Sequence, residues 1–410
     1  MKIAILHYSV PPIVGGVESV IAHHARLMSA DGHSVRLIAA RGESLNEKIP
    51  LTAIPLADSR HMRVAEMKGQ LDRGEVTKDF ETLRDELAEQ LQTALSDVDV
   101  LIAHNVCSLN KNLALTAALY QLHMAASRKP LRLILWHHDL AWTTPRYQPE
   151  LHDGYPWNLL KTAWPDATQV TISEMRRDEI SGLMKIDKSK IHVIPNGVDV
   201  GKFLKLEEQT LGFIKRLDLL RASPLLLLPV RITPRKNIEL ALHILAALRN
   251  DLPSMQMVIT GPLGPHNPAN LQYFEKLSAL REELGLRNSV HFLAELTNGF
   301  IPDSVISDFY SLADALLLPS FEEGFGIPIL EAGLAGILVF CSDIPPLKNL
   351  GGEFVNYFSP EENPIVVAKM MADHFKNDAV FGLRAAVREQ FTWERVYATK
   401  IAPLLKESEI

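Results

Sequence analysis

The chain has 410 residues and a mass of 45.7 kDa, well above one average domain of roughly 150 residues, so two domains are expected. Hydrophobic residues make up 47% and charged residues 22%, a globular balance that argues against a largely disordered chain. Lys and Arg total 42 against 49 Asp and Glu, and the resulting formal charge of −7 argues against nucleic acid as a partner. The two cysteines, Cys107 and Cys341, lie far apart, which excludes a disulfide framework and speaks against a Cys-rich zinc site.

In chain order, short apolar runs alternate with amphipathic stretches. Residues 3–7 read as a strand, 17–30 as a helix and 35–39 as a strand. Residues 58–78 are charged and weakly patterned, and read as an exposed excursion. A helix over 81–95 and strands over 100–103, 131–136 and 169–172 follow. Pro195-Asn196-Gly197-Val198-Asp199 interrupts the rhythm with turn residues. It resumes with strands at 225–230, 255–260, 290–292, 315–318 and 337–341, and helices at 238–249, 270–284, 305–312 and 327–335. This βαβ alternation predicts an α/β fold of two Rossmann-like doubly wound domains with a hinge near residue 198. Ligands in such folds bind at the carboxyl ends of the strands, so a cleft between the domains is the expected site. No apolar run approaches the roughly 20 residues of a membrane span, and the first residues are too weakly apolar for a signal peptide. A soluble, cytoplasmic protein is the expectation.

Four polar constellations fall at predicted strand ends. In Leu318-Pro319-Ser320-Phe321-Glu322-Glu323-Gly324-Phe325-Gly326-Ile327-Pro328, a strand passes through a glycine loop into a helix whose free N–H groups suit an anion. Glu331, read into the first turn of that helix, and Glu323 would accept hydrogen bonds from sugar or ribose hydroxyls. In Val230-Arg231-Ile232-Thr233-Pro234-Arg235-Lys236, Arg231 and Lys236 are two cations suited to a pyrophosphate, while Arg235 reads as solvated. Gly15 and Gly16, between the first strand and the first helix, open backbone amides to an anion, or simply make a tight turn. His137 and His138 end a strand; adjacent side chains diverge there, so a shared metal ion is not expected. His138 is the functional candidate and His137 an ordinary exposed residue. The stretch 142–164 supplies Arg146, Tyr147, His152 and Asp153, which with Asp139 suit a sugar acceptor, or make a surface loop pinned by aromatics.

These motifs together resemble the retaining GT-B glycosyltransferases of family four. Glu323 to Glu331 is similar to the family's E-x7-E, Arg231 with Lys236 to its R-x4-K, Gly15-Gly16-Val17-Glu18 to its GG-x-E, and His138-Asp139 to its H-D. Residues 195–199 are similar to its interdomain P-N-G-V-D. The resemblance implies an N-terminal acceptor-side domain over 1–198, a C-terminal nucleotide-sugar domain over 199–390, and a segment 391–410 returning to the first.

It further implies a hexosyltransferase that moves sugar from a UDP- or GDP-linked donor to a hydroxyl of a saccharide or small polar acceptor. Configuration is retained, and the leaving phosphate helps deprotonate the acceptor. By the same resemblance, Arg231 and Lys236 hold the diphosphate, and Gly16 approaches it from the other domain. Glu323 contacts the hexose with the Gly324, Phe325 and Gly326 loop, Glu331 holds the ribose, and His138 sits by the sugar. His138, Glu323, Arg231 and Lys236 are the catalytic candidates, and no metal or cofactor is required. Val230, Gly336-Ile337-Leu338 and Asn349 depart from the usual residues, which bears on donor detail. Peripheral membrane contact has little support, because His61, Arg63, Lys68 and Arg73 are interspersed with acids. The alternatives are a sugar-nucleotide epimerase of the same fold or a non-catalytic nucleotide-sugar-binding regulator.

Overall fold

Four consecutive leucines, Leu225–Leu228, are all buried. A strand with no polar face belongs in a sheet covered on both sides, and the surrounding architecture supplies that cover. The computed structural model describes residues 1–125, 131–262, 268–297 and 300–406. It divides into two compact units, Met1–Gly197 with Trp393–Ile410, and Val198–Thr392.

The first unit holds a seven-stranded sheet of β1 (Lys2–Leu6), β2 (Ser34–Ala39), β3 (Leu51–Ala53), β4 (Val100–His104), β5 (Arg132–His137), β6 (Thr168–Thr171) and β7 (Ile191–Val193). Its order is β3-β2-β1-β4-β5-β6-β7, and every pairing is parallel. The second unit holds β8 (Leu225–Leu228), β9 (Gln256–Ile259), β10 (Val290–Phe292), β11 (Ala315–Leu318), β12 (Leu338–Ser342) and β13 (Asn356–Phe358). Their order is β10-β9-β8-β11-β12-β13, again all parallel. Both sheets reverse their winding beside their first strand, as the doubly wound α/β class does.

In the first unit, the helix Gly16–Ala30 turns Ile21, Ala25 and Met28 into the core, spaced for one helical face. The chain's last segment also lies here. Val396, Ile401, Leu404 and Leu405 join the same cluster as Ile3, Val35 and Val100. Arg132 donates to the carbonyls of Leu404 and Leu405 at 2.8 and 3.1 Å, satisfying acceptors in the last turn of the helix Ala402–Lys406. The last four residues of the expected segment 391–410 lie outside the described ones.

Two segments correct the expectations. Residues 58–78 are no loose excursion: they contain the helix Met62–Leu71, which buries Val64, Met67 and Leu71. Its apolar stripe is only one residue wide per turn, so charge hides it. The cations there are paired, Arg63 with Glu86, Lys68 with Asp72 and Glu150, and Arg73 with Glu75. The second is the helix Leu113–Ala125, which the periodicity did not reveal. It is buried without a break from Leu113 to Leu119 and packs on the helix Lys78–Ala94, so its sequence shows no polar face to alternate with.

Candidate functional site

In the second unit, β8 and β11 are neighbours, so the loops that leave them run side by side. The Arg235 carbonyl accepts from the backbone N–H groups of Phe321 and Glu322 at 2.9 and 3.4 Å, tying the loops together. Lys236 ends a single 3-10 turn, Pro234–Lys236, and points inward. Its Nζ donates to Glu323 Oε1 at 2.6 Å, and Ser320 Oγ donates to the same oxygen at 2.7 Å. The Lys236 and Glu323 side chains are 8% and 9% exposed. Such a charge-assisted bond in a dry setting is strong, and stripping one partner would leave a buried charge. Glu323 Oε1 is thus occupied twice.

Arg231, the other candidate cation, is exposed. Gly324 and Phe325 are open to solvent, and Gly326 caps the helix Ile327–Ala335 in the left-handed region at φ 102°. A side chain at 326 would meet Leu347 as well as that strained backbone, so the turn demands glycine. Pro328 sits in the first turn. Glu331 does not, which corrects the expectation: as the fifth residue of the helix it lies one turn further on. It lines a cavity of about 380 Å³ with Tyr310, Ser307 and Asp303. Burial, with the adjacent Glu331 carboxylate, pushes the Tyr310 phenol well above its ordinary pKa.

In the first unit, β1, β4 and β5 lie side by side and end in histidines or lead into them. Gly15 lies under Glu18: a Cβ there would strike that carboxylate, which accepts from Ser9 Oγ at 2.7 Å. Gly16 begins the helix, exposed and uncrowded. His138 is 6% exposed, and its Nε2 lies 3.0 Å from Nδ1 of His104. Burial, then the neighbouring His7 and His137, pushes His138 down to about 3, so its ring is neutral at physiological pH. His137 corrects the sequence reading. It is fully buried, its Nε2 bonds Gln169 Oε1 at 2.8 Å, and burial lowers it to about 4.

Asp139 lies 3.6 Å from Arg176. The remaining acceptor candidates are engaged locally. Arg146 bonds the Tyr147 hydroxyl, His152 Nε2 bonds the Asp72 carbonyl at 3.0 Å, and Asp153 pairs with Lys161 at 2.9 Å. Of these contacts, His152 pins the surface segment to Asp72 at the end of the Met62–Leu71 helix; none brings His152 or Asp153 to His138.

Sequence reasoning missed Ser320, His7, His104, Asn105 and Gly261. Ser320 is fully buried between an apolar strand and Glu323, a polar residue that must have a partner. Gly261 lies two residues past β9, where a Cβ would collide with the Val230 carbonyl; its signal was a glycine just past the end of an apolar strand.

Among the described residues, no helix is long and apolar enough to cross a membrane. The model of the glycosyl transferases group 1 matches residues 214–390, and that of glycosyltransferase family 4 matches residues 14–202. With two parallel-sheet α/β units carrying these two models in succession, the protein is a glycosyltransferase of the GT-B type. The mannosylglucosylglycerate synthase of Petrotoga mobilis is 26% identical over 88% of this chain and 88% of its own. The MMP alpha-(1->4)-mannosyltransferase of Mycolicibacterium hassiacum is 24% identical over 98% and 97%. A solved glycosyltransferase structure from Rickettsia africae covers 99% of this chain and 100% of its own at 16% identity, with a TM-score of 0.36.

Proposed function

We propose that the protein transfers a hexosyl group from a nucleotide-diphosphate sugar, UDP- or GDP-linked, to a hydroxyl of a saccharide or small polar acceptor, with retention of configuration. One observation carries the reading: Lys236, Glu323 and Ser320 form a dry charged cluster at the ends of β8 and β11, beside a glycine-capped helix start. Relatives named as a mannosylglucosylglycerate synthase and a mannosyltransferase favour a hexose and a small polar acceptor.

In this reading the second unit holds the donor. Arg231 meets the diphosphate from solvent as a bidentate fork, and Lys236 divides its charge between Glu323 and the phosphate. The N–H groups of the Gly324–Gly326 loop and the helix start face the same anion. Glu331 takes the ribose hydroxyls, and the second oxygen of Glu323 takes a hexose hydroxyl. The sugar's anomeric C–O bond to phosphate breaks as the acceptor oxygen bonds to the same carbon on the same face. The acceptor's proton passes to the departing phosphate oxygen, and the cations stabilise the charge developing there. No metal is assigned a role in that step.

The test is a panel of UDP-, GDP- and ADP-sugars, read by thermal shift and by nucleotide release, with and without chelator. A shift from one nucleotide class that survives chelator is expected, followed by an axial or equatorial product matching the donor by proton NMR. Absence of a shift with every nucleotide sugar, or an inverted product, overturns the reading.

A further inference from the structure

His104 ends β4 and Asn105 follows it; both lie outside every sequence motif, yet they hold His138 and Asp139 from two directions. Asn105 stands in the left-handed region at φ 57°, and its Oδ1 accepts from the backbone N–H of His138 at 2.8 Å and of Asp139 at 3.2 Å. The His104 and His138 rings are inclined by only 29°, with Nδ1 of His104 and Nε2 of His138 at 3.0 Å. Two imidazoles sharing one short contact share one hydrogen, so the pair has a direction.

The surroundings fix that direction. His104 is fully buried, and its Nε2 has no hydrogen-bond partner among the described residues. The nearby rings of His24 and Trp136, 5.5 and 5.3 Å away between centroids, do not bond it. If Nε2 of His104 carried the hydrogen, a buried N–H would stand orphaned, at a cost of roughly 1–3 kcal/mol. A bare nitrogen in the same place is the lesser penalty, since orphaned buried donors are the rarer defect. The hydrogen therefore sits on Nδ1 of His104 and points at Nε2 of His138, which must be bare. The neutral His138 ring then carries its own hydrogen on Nδ1, an atom that has no partner among the described residues. A second ring obeys the same rule: His7 donates from Nδ1 to the His104 carbonyl at 2.8 Å.

We infer that His104 fixes His138 as its Nδ1–H tautomer, so that His138 meets a ligand as a neutral hydrogen-bond donor and does not act as a base. The group it addresses is an oxygen acceptor, a sugar hydroxyl or phosphate oxygen. This consequence for transfer rests on the proposed function, but the ring's tautomer does not. His104 is a positioning residue here, acting through His138.

The full chain labelled with 15N-histidine gives the direct test. Long-range proton–nitrogen correlation distinguishes the protonated from the bare ring nitrogen, and His138→Gln identifies the His138 signals by their loss. The expected result near neutral pH is a protonated Nδ1 and a bare Nε2. A protonated Nε2, or two protonated nitrogens, overturns the inference whatever the enzyme's activity. His104→Phe keeps an aromatic ring without the donor and is expected to release His138 to the Nε2–H form that free histidine prefers. His104→Asn places an amide N–H where Nδ1 was and is expected to retain the wild-type tautomer. Once a donor sugar is known, His104→Phe is expected to lower kcat about tenfold, the worth of one hydrogen bond, with nucleotide affinity unchanged. An unchanged His138 tautomer in His104→Phe overturns the role of His104. If that variant does not fold, the wild-type spectrum and His104→Asn still decide.

Discussion

Lys236→Met separates the two duties of the cluster at the ends of β8 and β11. Methionine keeps most of the side-chain length and removes the charge. What remains is a Glu323 carboxylate that is nearly sealed from water and has lost a 2.6 Å charge-assisted bond. Breaking a buried pair by removing one partner costs roughly 3–5 kcal/mol. Ser320 still donates to the same oxygen, so the lower end, about 3 kcal/mol, is expected. For a unit of this size that corresponds to roughly 6–12 °C in the unfolding midpoint of Val198–Thr392. Differential scanning calorimetry reads it. Lys236→Met/Glu323→Gln removes the stranded charge while keeping an oxygen for Ser320, and should recover at least half of the loss. A single variant within a degree of wild type, or a double variant less stable than the single, would refute the reasoning that this pair is a buried, mutually dependent charge.

Arg231→Ala should behave oppositely. The residue is exposed, so calorimetry should show no change, while affinity for a nucleoside diphosphate, measured by titration calorimetry, should fall at least about tenfold. Gly261→Ala should destabilise the second unit by about 3 kcal/mol, because the new methyl group meets a backbone carbonyl that cannot swing aside; a thermal melt like wild type would contradict it. The buried rings predict acid sensitivity of the first unit. Burial holds His7 and His137 near 4 and His24 and His138 near 3, against an ordinary 6.5. Below 6.5 the unfolded chain takes up protons that the folded rings refuse. Stability is therefore complete above 6.5, falls by up to about 1.4 kcal/mol per pH unit for each ring, and stops falling near 4 for the first pair and near 3 for the second. Melting of the first unit at pH 7, 6 and 5 should show this decline, and His24→Phe should make it shallower; a flat profile would count against it.

The two parallel sheets were legible because each strand is a short apolar run bounded by turn residues, and the helices between them carry one apolar stripe. The misses have the same root. The helix Met62–Leu71 shows too narrow a stripe, and Leu113–Ala125 shows none over its first half because Leu113 to Leu119 are buried on every face. Loop positions of Arg231, Lys236 and Glu323 could be read locally, since each follows an apolar strand. The bond between Lys236 and Glu323 could not, because 87 residues separate them and only the crossover that sets β8 beside β11 brings them together. Glu331 shows that correct helix bounds do not suffice: counted from Ile327 it is the fifth residue, just past the first turn whose N–H groups are free. The histidines show the limit of residue type alone: His137 and His138 differ only in which neighbour, Gln169 or His104, receives the ring.

The first unit owns both the earliest and the latest parts of the chain. Its core is closed by Val396, Ile401 and Leu404, and Arg132 must wait for carbonyls 272 and 273 residues downstream. During synthesis, then, the second unit can finish folding while the first still lacks a piece of its wall. The second unit brings its own ends together: Val198 donates to the Phe391 carbonyl at 2.6 Å and bridges Thr392. A folded insertion with joined ends spans almost no distance, so the loop it interrupts closes as if it were short, and the entropy of so long a detour is largely avoided. A chain truncated after Thr392 and released should therefore carry a protease-resistant second unit and a first unit that is still cut.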